Sequence, residues 1–79
     1  MKDRVKLIWD FRGPNAEPIA LHHAKHLEEY AQTEQLKHTL TGTQQLSPSH
    51  FIAFLVVEKQ HMNALRISLK PNRGQLYNE

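Results

Sequence analysis

Val5, Leu7, Trp9 and Phe11 alternate with Lys6, Ile8, Asp10 and Arg12, the period-two pattern of a strand with one buried face. Gly13-Pro14 breaks that pattern, and Asn15 is placed to cap a helix whose first turn tolerates Pro18, because the amide that proline lacks has no intrahelical partner there. The helix is expected from about Ala16 to Gln35. Its inward stripe is Ala16, Ile19, Ala20, His23, Ala24, Leu27, Tyr30 and Ala31, a face dominated by small residues that lets a helix lie close to a sheet.

From Leu36 to Leu46 the threonines Thr39, Thr41 and Thr43 alternate with Leu40 and Gly42, which predicts a polar strand at a sheet edge, closed by the turn Ser47-Pro48-Ser49. Phe51 to Val57 is nearly continuously apolar, the mark of a central strand covered on both faces. The stretch from Gln60 to Lys70 fits two periods. Met62, Leu65 and Leu69 suit a helix, and Leu65, Ile67 and Leu69 suit a strand; the helix is preferred because Ala64, Leu65 and Arg66 are good helix formers and Gln60-His61 lacks hairpin chemistry. Gly74 to Asn78 supplies a last edge strand.

The order strand-helix-strand-strand-helix-strand is that of an α+β ferredoxin-like βαββαβ sandwich, with two helices on one face of a four-stranded antiparallel sheet. The fallback is one helix on a sheet with an extra hairpin. Residues 1–79 are read as a single domain, near the size at which one core gives only a few kcal/mol of net stability. Self-association would help such a chain. If Leu7, Trp9, Ala53, Leu55 and Val57 face the helices, then Ile8, Ile52, Phe54 and Val56 lie on the open sheet face, and the expectation is a homodimer formed through that apolar patch.

Composition narrows the chemistry. The 39% hydrophobic and 23% charged content is that of an ordinary globular domain. With no cysteine there are no disulfides, thiolate metal sites or cysteine nucleophiles, which fits a cytoplasmic protein. The longest apolar run falls far short of the ~20 residues that cross a bilayer, and Lys2-Asp3-Arg4 after Met1 argues against a cleaved leader, so no membrane association is expected. A formal charge of +2 is too mild for nonspecific nucleic-acid binding. RNA-recognition modules share the element order and stack bases on two aromatics two residues apart; Phe51 and Phe54 are three apart and point to opposite faces.

In the expected topology the exit of the first strand, the turn between the second and third, and the turn after the second helix share one end of the sheet. Asp10, Arg12 and Asn15, then Ser47, Ser49 and His50, then Lys70, Asn72 and Arg73 would form a mostly basic rim beside a helix N-terminus. Arg12, Asn15, His50, Lys70 and Arg73 are therefore the candidate residues for a small anionic ligand, and the leading reading is a binding or interaction module. A bland account, Arg12 and Arg73 pairing with Asp10 and the C-terminal acids on the surface, competes with it. The enzymatic alternative is a lyase, isomerase or hydrolase using His50 or His23 as acid or base, with Asp10 and an arginine.

Six histidines are present, and His22 and His26 share one helix face with Glu29 at i, i+4 and i+7. Neutral imidazole with carboxylate suits a divalent transition metal, the third reading, although His23 stands where the zincin pattern needs its glutamate. A solvated polar face is the plainer account. His23, on the inward stripe, is read as a packing residue. Ser47 and Ser49 lack a glycine-bounded elbow, and Gly13, Gly42 and Gly74 are isolated, so neither serine acyl transfer nor a phosphate loop is supported. No cofactor is implied.

Overall fold

A computed structural model describes residues 3–77. The elements run β1 (Arg4–Arg12), α1 (Ala16–Thr33), β2 (Leu40–Ser47), β3 (His50–Glu58), a 3-10 turn (Lys59–His61), α2 (Met62–Leu69) and β4 (Arg73–Tyr77). The four strands form one sheet in the order β2-β3-β1-β4, every neighbouring pair antiparallel. This is the ferredoxin-like βαββαβ arrangement, with β1 and β3 at the centre and the polar β2 at an edge. Asn78, expected in the last strand, lies outside the described residues. Among the described residues no helix is long and apolar enough to cross a membrane.

One core lies between the sheet and the helices. Val5, Leu7 and Trp9 of β1 and Ala53, Leu55 and Val57 of β3 meet Ala24, Leu27 and Ala31 of α1 and Leu65 of α2. The buried stripe of α1 is Ala16, Ala20, Ala24, Leu27 and Ala31. Ile19 is not part of it: at 49% exposure it sits on the helix shoulder, because one residue before Ala20 is a turn of about 100° around the axis. Asn15 stands at the N-cap position, but its side chain makes no capping hydrogen bond.

α2 is short, and its end is fixed by Trp9, whose indole N–H donates to the Leu69 carbonyl at 3.1 Å. Lys70 then takes a left-handed conformation (φ +51°) that turns the chain into Pro71. Asn72 splices this turn onto β1: its N–H donates to the Ile8 carbonyl at 2.9 Å, and its Oδ1 accepts the Asp10 N–H at 2.8 Å. At the same end Gly13, in a left-handed conformation (φ +111°), donates its N–H to the Ser49 carbonyl at 2.9 Å, tying the exit of β1 to the β2–β3 turn.

The apolar residues expected to form a dimer patch on the open face are already shielded within the single chain. Ile8, Ile52 and Val56 do belong to that face by register, yet each is at most 2% exposed within the single chain. Phe54 stands between Ile8 on one side and Gly42 on the other, and its ring leans over Gly42 so closely that a methyl group there would lie 3.0 Å from Cζ. The Lys6 ammonium sits 4.4 Å from the centre of the same ring. Phe54 itself remains half-buried.

Candidate functional site

The polar cluster that the fold builds is centred on Asp10. The alternation of β1 turns Asp10 to the open face, where its register partner is Ile52, and Arg12 follows on the same face opposite His50. Arg73 opens β4 across from Ile8. These pairings bring two side chains, His50 and Arg73, onto the Asp10 carboxylate from 40 and 63 positions away in the chain.

Arg73 holds Asp10 side-on. Its Nε donates to Oδ2 at 3.2 Å and its Nη2 to Oδ1 at 3.1 Å. His50 Nε2 meets Oδ1 at 2.8 Å. The Asp10 side chain is 20% exposed and that of His50 13%, so the cluster is shielded from water on its inner side, whereas Arg73 is 49% exposed. The Arg73 hydrogen bonds hold the Asp10 carboxyl below the ordinary carboxylate range; burial opposes this, and His50 reinforces it. Asp10 is therefore a carboxylate near neutrality. A His50 ring that donates its Nε2–H to this carboxylate turns Nδ1 away from it.

Of the five residues expected on an anionic ligand, the fold gathers Arg12, His50 and Arg73 at one end of one face. The Arg12 side chain is exposed and makes no hydrogen bond or ion pair among the described residues. No hydrogen bond among the described residues joins Asn15 or Lys70 to the cluster. Lys70 instead borders a cleft of about 490 Å³ on α2 with Asn63, Arg66, Ile67 and Pro71. Asp10 is the hub: expected on the rim, as a surface partner of the arginines and as the partner of His50 in the enzymatic alternative, it stood outside the five ligand candidates. Asn72, expected on the rim, splices backbone.

The other histidines divide. His23 is half-buried between Trp9 and Phe11, with ring centres 5.0 and 5.5 Å away, and its buried Nε2 has no hydrogen-bond partner among the described residues. Burial first, then His26 and His22, lower its pKa, so it packs as a neutral ring. His61 lies in the 3-10 turn beyond the far end of β3 from His50. His22 and His26 are exposed and face each other, Nε2 to Nε2, at 2.9 Å. Glu29 does not join them at a common point: its Oε1 is 3.7 Å from His26 Nδ1, behind the ring. Among the described residues no three histidine or acidic side chains converge as a metal site.

No protein-family model, no curated protein and no solved structure matches this chain.

Proposed function

We propose that the protein is a small binding module whose open sheet face, at the end where β1 meets β3, takes the carboxylate or phosphate of an anionic ligand through Arg12, Arg73 and His50. The observation that carries this reading is the side-on clamp of Arg73 on Asp10, at 3.1 and 3.2 Å. A guanidinium has five N–H donors in a rigid plane, and the clamp uses two of them, which leaves the rest oriented and half-exposed. Fixing that plane before the ligand arrives lowers the ordering cost of binding. Arg12, in register with His50, adds a second guanidinium on the same face.

The test is an NMR titration of the intact protein with sodium phosphate and, separately, sodium acetate. The reading expects saturable shifts at Arg12, His50 and Arg73, with affinity cut by about tenfold in Arg73→Lys, which cannot reproduce the planar fork. Shifts that do not saturate, or that Arg73→Lys leaves unchanged, refute it. Pairing of two copies through the open face, in a cytoplasmic setting, belongs to the same reading, but rests on a smaller apolar surface than the residue pattern promised: Phe54 at its centre and Leu40, 44% exposed, beside it. A native mass spectrum showing only monomer removes it.

A second reading, acid–base chemistry at His50, is favoured by the 2.8 Å contact that orients the ring against an ionised Asp10. It requires turnover of a small molecule that His50→Gln abolishes while anion binding through the arginines persists.

A further inference from the structure

We infer that His22 and His26 form a chelating site for a tetragonal divalent transition metal, with copper(II) as the best match, on the outer face of α1. This site is independent of the anion-binding face. The two Nε2 atoms already face one another at 2.9 Å across one helical turn, with ring centres 4.5 Å apart. Metal–imidazole bonds of ~2.0–2.1 Å place two cis nitrogens of a square-planar or octahedral ion about 2.9 Å apart, against about 3.4 Å at a tetrahedral ion. The hydrogen-bonded separation in α1 already lies near that cis edge, so copper(II) or nickel(II) fits between the two rings with little movement. Copper(II) leads by the ordinary order of divalent affinities.

Glu29 supplies the complementary contact. Its carboxylate stands 3.7 Å from His26 Nδ1, the nitrogen that points away from His22. A carboxylate there favours the proton on Nδ1 and leaves Nε2 with its lone pair toward the metal, the usual arrangement behind a ligating histidine. A hydrogen bond currently joins the two Nε2 atoms, and the metal takes the place of its proton as His22 shifts to the Nδ1–H tautomer. Both rings lie on solvent, so water can fill the remaining positions and no core rearrangement is needed.

The experiment is a calorimetric titration of the full chain with copper(II) chloride near neutral pH, repeated on His22→Ala, His26→Ala and Glu29→Gln, with His61→Ala as the control. Expected are one equivalent bound per chain, a loss of affinity of about tenfold or more in each histidine variant, a smaller loss in Glu29→Gln, and none in the control. Saturating copper should also raise the melting temperature of the wild type but not of His22→Ala, since a clamp across one turn binds the folded helix better than the unfolded chain. His22, His26 and Glu29 are exposed and His61 is half-buried outside the core, and a circular dichroism spectrum confirms that each variant is folded. Failure to saturate at one equivalent, or a loss below tenfold in His22→Ala, overturns the site, and neither outcome bears on the arginine face.

Discussion

Replacing Asp10 with asparagine removes the charge on which His50 and Arg73 converge while keeping the shape of the side chain. Asparagine still offers one oxygen, but its amide NH₂ takes the place of an acceptor, so one of the two Arg73 donors faces a donor. The Arg73 pair, half-exposed on the cation side, contributes about 0.5–1 kcal/mol. The charge-assisted bond to the better-shielded His50 contributes about 1 kcal/mol. The variant is therefore expected to lose about 1–2 kcal/mol at neutral pH, which for a chain this small, with a urea slope of about 1 kcal/mol/M, lowers the unfolding midpoint by about 1–2 M. The pH dependence gives an independent check. The folded-state pKa of Asp10 lies below the ordinary value of 3.8, so its contribution is fully present above that value and is lost as the pH falls through the folded one. Wild type and Asp10→Asn should differ most near neutrality and converge as the pH falls through the lowered folded-state pKa of Asp10 and the wild-type carboxyl is neutralised. Urea midpoints within about 0.3 M of each other at neutral pH, or a gap that persists in acid, would refute the account of Asp10 as the charged hub.

Three further changes probe the scaffold. Phe54→Ala strips the ring from above Gly42 and from beside its cross-strand neighbour Ile8, and is expected to cost about 2 kcal/mol and to raise ANS fluorescence of the folded protein. Ala20→Leu places a large side chain where α1 is 0% exposed against the sheet, and should lower stability by about 1–3 kcal/mol in urea unfolding. Lys70→Gly relieves a side chain held at φ +51° and should raise stability by about 0.5–1 kcal/mol, without weakening phosphate binding at Arg73.

The elements were legible wherever burial imposes a period on the chain. β1 alternates because its helix-facing residues Val5, Leu7 and Trp9 are buried, and β3 reads as a continuous apolar run because residues on both its faces, Ile52 and Val56 as well as Ala53, Leu55 and Val57, are buried. The ambiguous stretch before Pro71 resolves through Ile67. A strand would put Leu65, Ile67 and Leu69 on one buried face, whereas in α2 Leu65 is buried and Ile67 is 77% exposed, as a helix turning about 100° per residue requires. Ile19 misled because a single apolar residue on the shoulder of an alanine stripe looks the same in sequence as one within it.

The site was legible only as a neighbourhood, because its contacts depend on register, which local pattern does not contain. Arg12, His50 and Arg73 were expected at one end, with Asp10 as a plain surface partner of the arginines; the side-on geometry of the Arg73 clamp follows from Arg73 opposing Ile8, two residues before Asp10 on the same face. The same pairing of β1 with β3 sets Phe54 against Ile8, and the pairing of β2 with β3 sets it against Gly42, the one residue in β2 with room for the ring. A slip of one residue between β1 and β3 would turn Asp10 toward the helices and Leu7 toward solvent together. The cover of the open face and the assembly of the Asp10 cluster are thus two results of one alignment. Substitutions that loosen Phe54 should weaken phosphate binding as well as stability, even though the ring makes no contact with either arginine through a hydrogen bond or a charge.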